Sequence, residues 1–252
     1  MSKLTNFCTK SVLIIVITGF FSVDAFADWR DWKNKIFKSG KSHRHSTSRE
    51  PDSSYVARGL KQALQKGTLY AVQQLGQYNG FYGHSHLRIP VPRNLRRLTK
   101  ILKRLGLKKY IRRFQKTMNR SAELAVKEAG PIFYRAIRRM TLRDAMRILR
   151  GPDDAATRYF QHQTSEELAR LFRPIVRRAM SKTGVEIAYR KMKKYGRYDR
   201  FGYFKRFNLE DYIVEKAISG LFVVIAEQER AIRRNPAKRT TRLLRRVFGF
   251  RH

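Results

Sequence analysis

The chain has 252 residues, of which 56 are lysine or arginine and 19 are aspartate or glutamate, giving a formal charge of +37 at neutral pH. With 42 % hydrophobic residues it can bury a full-sized domain core, and its charge favours polyanionic partners and disfavours cationic ones. A single cysteine, Cys8, excludes an intramolecular disulfide.

The first 27 residues read as a cleaved export signal. Lys3 and Lys10 supply a cationic start, Val12 to Phe21 an apolar stretch, and Ala25-Phe26-Ala27 the small residues of a cleavage site. The stretch is too short to span a bilayer, which takes roughly 20 residues. Cleavage would remove Cys8 and leave a mature chain, starting at Asp28, with no thiol for metal ligation or catalysis. The signal predicts a periplasmic or otherwise exported protein.

Residues 28–53 divide in two. In "DWRDWKNKIFK", Trp29, Trp32, Ile36 and Phe37 recur at helical spacing, an amphipathic segment that either touches a membrane surface or docks on the protein's own core. "SGKSHRHSTSREPDS", 39–53, has no apolar residue and reads as a linker.

From residue 54 to 252 the pattern predicts one all-α, bundle-like domain. Val56, Leu60, Ala63, Leu64, Ala71, Val72 and Leu75 stripe a helix ending at Gly76, and no run alternates with the period of a strand. The loop "QYNGFYGHSHLRIPVP" follows, then two basic helices separated by Gly106. Leu95, Leu98, Leu102 and Leu105 stripe the first, and Tyr110, Ile111, Phe114, Met118, Ala122 and Ala125 the second. Gly130-Pro131 predicts a break. Thr141 with Asp144 has capping-box spacing, opening a helix that Gly151, in a left-handed conformation, and Pro152 close. Thr164 with Glu167 repeats the device ahead of a helix kinked by Pro174, and Asn208 with Asp211 ahead of the longest helix, Leu209 to Arg234, stopped by Asn235-Pro236. "AKRTTRLLRRVFG" predicts a last basic helix.

Charge concentrates in three places. Residues 93–120 hold twelve cations and no acid, and Arg96, Arg97, Lys100, Lys103, Arg104, Lys108, Lys109, Arg112 and Arg113 fall opposite the apolar stripe. Residues 236–252 add Arg242, Arg245 and Arg246 among six cations, again without an acid. In 189–207 eight cations interleave with tyrosines and phenylalanines, the composition of a surface for anionic lipid or single-stranded nucleic acid. Such runs on helices also occur as merely solvated faces. Anionic lipid headgroups and lipopolysaccharide are the expected partners, with nucleic acid a nonspecific alternative.

No phosphate loop, nucleophile elbow or H-E-x-x-H occurs, and no cofactor motif. His43/His45 and His84/His86 have H-x-H spacing but read as loop histidines. Asp153 and Asp154, in "GPDDAATRYF", read as the cap of the helix opening at "AATRYF". The alternative is a functional carboxylate pair with Arg120, Glu123 and Arg239 as partners, in an enzyme or small-ligand binder.

"RIPVP" at 88–92, "MNRSAE" at 118–123, "GPDDAATRYF" and "KAISGLFVVIAEQERAIRRNPAKRTTRLLRRVFG" at 216–249 together resemble the exported bacterial family catalogued as domain of unknown function 4197. The resemblance implies an exported all-helical protein without assigned activity. Its polar signature falls on Arg88, Asn119, Arg120, Glu123, Asp153, Asp154, Thr157, Tyr159, Glu227, Glu229, Arg233, Asn235, Arg239 and Thr240. The chain departs from the family pattern at Ser121, in "KAISG" and in its basicity.

Overall fold

The computed structural model describes residues 53–184 and 207–235, together with residues 187 and 190. The export signal, the amphipathic segment and all but the last residue of the linker lie outside these residues, as do most of 189–207 and the basic stretch 236–252 with Arg239, Thr240, Arg242, Arg245 and Arg246.

Seven α-helices and one 3-10 turn make up the described fold, with no strand among the described residues. They are α1 Ser53–Gly76, a 3-10 turn Arg93–Leu95, α2 Arg96–Arg104, α3 Lys108–Val126, α4 Gly130–Arg139, α5 Leu142–Arg150, α6 Ala155–Thr183 and α7 Leu209–Arg234. The protein is all-α, as the apolar periodicity requires.

Helices α3, α6 and α7 pack against one another at the centre. Helix α1 lies on α7 and touches α3, α4 and α5, while α2 leans on α3 alone among its helical neighbours of any extent. The seam is filled by fully buried rings: Phe81, Phe114, Phe133, Phe160 and Phe172. Phe133 meets Phe160 and Phe222 edge-on, at 5.6 and 6.2 Å between centroids, the arrangement favoured by the ring quadrupoles. Phe81 enters from the loop after α1 against the backbone of α7, where a Cβ on Gly220 would come within 2.6 Å of its Cε1.

Helix ends follow local chemistry in two cases. The Thr141 hydroxyl accepts from the Asp144 amide at 3.1 Å while the Asp144 carboxylate accepts from the Thr141 amide at 3.0 Å, a complete capping box. The Asn208 side chain accepts from the Asp211 amide at 3.2 Å. Pro131 sits in the first turn of α4, where its missing N–H costs nothing.

Four expectations are corrected. Thr164 and Glu167 open no helix, because α6 runs unbroken from Ala155 to Thr183; the Thr164 hydroxyl donates to the Phe160 carbonyl at 2.7 Å and Glu167 pairs across to Arg135. At 29 residues α6, not α7, is the longest helix among the described residues, and it continues through the exposed Pro174. Gly151 is not left-handed, with φ −77° and ψ 177°. What its position demands is space, since a Cβ there would lie 2.7 Å from that of Ala155. Leu105 leaves the stripe: it follows the last residue of α2 with φ −81° and ψ 7° and is 58 % exposed.

Candidate functional site

Helices α2 and α3 form a basic hairpin. Gly106 turns the chain with φ +72°, a conformation that costs a Cβ-bearing residue, and the Leu107 amide donates to the Leu102 carbonyl at 2.8 Å to close α2. Leu95, Leu98, Leu102, Phe114 and Met118 are buried beneath it. Arg96, Arg97, Lys100, Lys103, Arg104, Lys108, Lys109, Arg112 and Arg113 are all exposed, so these nine cations face outward.

The polar residues of the second half of α3 point the other way, into the molecule. Asn119 is fully buried, and its side-chain carbonyl accepts from the Ile89 amide at 2.8 Å. Its NH2 group donates to the carbonyls of Ile89 and Gln115 at 3.0 and 2.7 Å. One amide thus satisfies both backbone groups of a loop residue that has no ladder partner. Glu123, 1 % exposed, accepts from the amides of Phe81 and Tyr82 at 3.3 and 3.5 Å and from Arg120 at 3.1 Å. The Arg120 guanidinium also lies over the Tyr78 ring, 5.3 Å from its centroid. Nearby, a hydrogen bond with Tyr78 raises the pKa of Lys116 above the ordinary lysine value. Asn119, Arg120 and Glu123 together clamp the loop 77–92 to α3. Arg88, exposed, stays within that loop, donating to the Tyr82 carbonyl at 2.7 Å and stacking over its ring at 4.7 Å.

A second polar centre sits where α5 gives way to α6. The Glu229 carboxylate, from α7, accepts from the amides of Ala156 and Thr157 and from the Thr157 hydroxyl, each at 2.9 Å. One turn on, Arg233 pairs with Glu229 at 2.9 Å and donates to the carbonyls of Ile148 and Leu149 at 2.8 and 3.3 Å. The carboxylate therefore meets the amide end of α6 and the guanidinium the carbonyl end of α5, each charge matched to the local helix dipole. Both side chains are nearly inaccessible, at 6 % and 2 % exposure.

This corrects the role of Asp154 as a cap. Asp154 occupies the N-cap position of α6 but makes no side-chain capping bond, because Glu229 already receives the free amides. Asp154 pairs with Arg158 at 3.0 Å and Asp153 with Arg234 at 2.7 Å, on the rim. Tyr159 is half-buried and burial pushes its phenol pKa up. Asp153 thus pairs with Arg234 and Asp154 with Arg158, whereas Arg120 and Glu123 pair with each other; Arg239 lies outside the described residues. A cavity of about 20 Å³ adjoins Glu229 and Arg233 between α1 and α7, room for about one water.

His84 and His86 lie edge-on at 6.3 Å, and His86 approaches Glu227 at 3.5 Å. No group of three or more His, Cys, Asp or Glu side chains converges on a metal position among the described residues. Nor is any helix among them long and apolar enough to cross a membrane.

Sequence reasoning placed Glu229 and Arg233 only within a family signature. Their i, i+4 spacing on a helix resembles an ordinary surface pair, and the one distinguishing sign is that Ile225 and Ile232 place them on the apolar side of α7.

Fold and site together define an all-helical domain whose corners are locked by buried polar side chains and which presents a one-sided cationic hairpin. The chain belongs to the family described as "Protein of unknown function (DUF4197)", whose profile matches residues 50–249. No curated protein and no solved structure matches it.

Proposed function

We propose that the protein is an exported, non-enzymatic component of the bacterial envelope that rests on anionic lipid headgroups through the α2–α3 hairpin. The observation that carries this reading is the outward orientation of all nine cations from Arg96 to Arg113, with no acid between residues 93 and 120. Each basic side chain near an anionic membrane surface contributes about 1 kcal/mol, so nine on one hairpin suffice for stable attachment without a membrane-spanning helix. The basic residues at 236–252 extend the same chemistry. Export rests on the cationic, apolar and small-residue regions of the first 27 residues.

Co-sedimentation of the mature chain with vesicles containing phosphatidylglycerol, at physiological salt, tests the proposal. Binding to anionic but not neutral vesicles is expected, weakened at least tenfold by the joint change Lys108→Glu, Lys109→Glu, Arg112→Glu, Arg113→Glu. Equal binding to neutral vesicles, or no effect of the four changes, overturns it. Tighter binding to an oligonucleotide than to the vesicles would replace lipid with nucleic acid as the partner.

A further inference from the structure

A groove outside the polar centres runs between α6 and the corner joining α3 to α4. It consists of two depressions, of about 550 and 380 Å³, that share Glu128 and Leu171. Volumes of this size are those of small-molecule sites, roughly 300–1,000 Å³. Leu124, Pro131, Ile132, Leu171, Pro174 and Ile175 give it an apolar lining. On α6 the lining extends from Glu167 to Lys182, about 22 Å at 1.5 Å per residue. A bilayer core is about 30 Å thick, so a single acyl chain is about 15 Å long. The groove therefore accepts one such chain lengthwise with space left for a headgroup.

Charge fixes which end holds the headgroup. At the Glu167 end, Arg135 reaches across from α4 and pairs with Glu167, and Arg170, the other cation of that lining, pairs with Glu166 at 3.5 Å, so each cation there already has a carboxylate. At the far end Arg178 and Lys182, one turn apart on α6, are exposed, and among the described residues neither pairs with a carboxylate. Half-buried Glu128 lines the same depression and, among the described residues, has no cation partner. A phosphate on the two cations offsets the net charge of the three but leaves Glu128 without a cation of its own. A phosphate joined to an ammonium meets all three.

We infer that this groove binds one monoacyl phospholipid, its acyl chain along the apolar floor, its phosphate on Arg178 and Lys182, and the ammonium of a phosphoethanolamine headgroup on Glu128. The site is independent of the cationic hairpin. It takes a single lipid molecule, whereas the hairpin meets a surface.

Calorimetric titration of the mature chain with a monoacyl phosphoethanolamine lipid, below the concentration at which it forms micelles, decides the matter. Saturable binding of one lipid per chain is expected, tighter than that of the matching phosphoglycerol lipid. The joint change Arg178→Glu, Lys182→Glu should weaken it at least tenfold, as should Leu171→Trp, which fills the floor; circular dichroism verifies that each variant is folded, and the exposed charge changes decide alone if Leu171→Trp is not. Glu128→Gln should remove the preference between the two headgroups. The inference fails if binding does not saturate, if the charge variant binds like the parent, or if the phosphoglycerol lipid binds tighter, the order that a net charge of +37 dictates by itself. The charge-reversed α2–α3 hairpin should retain full affinity for the lipid monomer, so the two proposals stand or fall separately.

Discussion

The α2–α3 hairpin and the α5–α6 corner treat charge in opposite ways. On the hairpin, nine cations from Arg96 to Arg113 face water while Leu95, Leu98, Leu102 and Phe114 face inward. At the corner, Glu229 and Arg233 are enclosed and every polar atom they present meets a backbone group, a hydroxyl or each other. Exposed charge contributes little to folding and is therefore open to use by a partner. Enclosed charge is committed to the fold, because removing one member strands the other away from water.

The contrast is broken most severely by Glu229→Ala. It frees two amides of α6 and leaves Arg233 buried without its counter-charge, so chemical denaturation should show a loss of about 3–5 kcal/mol. Against a typical total stability of 5–15 kcal/mol this approaches unfolding. Asn119→Ala strands the buried Ile89 amide, while the Ile89 carbonyl keeps its bond from the Gln115 side chain at 3.2 Å, and a loss of about 2 kcal/mol is expected in the same measurement. Thr141→Ala removes one half of the capping box and should cost about 1 kcal/mol. Asp154→Ala should change stability by no more than about 0.5 kcal/mol, because the residue makes a partly exposed pair and caps nothing.

The smallest effect concerns pH. Hydrogen bonds from the Thr141 hydroxyl and amide hold the Asp144 carboxyl below its usual pKa. The stability this provides is complete above the unfolded-state value of about 4 and disappears as pH falls through the lower folded-state value. Acid titration of the melting temperature should show a shallower acid-side decline in Thr141→Ala than in the parent chain.

Much of the fold was legible because it is written in short-range patterns. The stripe from Val56 to Leu75 is buried as its spacing requires, and Thr141 with Asp144 and Asn208 with Asp211 cap within three residues. Thr164 and Glu167 carry the same spacing and cap nothing, since a capping pair works only where helix ends; here the chain continues and Glu167 serves Arg135 on α4. The polar centres escaped for the complementary reason. Glu229 reaches amides 72 and 73 positions earlier, and Asn119 reaches a loop 30 positions earlier. No local pattern marks a side chain whose partners are backbone atoms of a distant segment. Only its placement on an otherwise apolar helix face hints at burial.

The Glu229–Arg233 pair also sets an order of events for a chain that emerges amino end first from a ribosome. The bend between α5 and α6 appears long before α7 arrives to complete it. Until then the bend keeps bare amides and carbonyls, so a nascent chain halted short of residue 229 has no finished middle to rest on. Only the arrival of the final described helix closes the structure behind it.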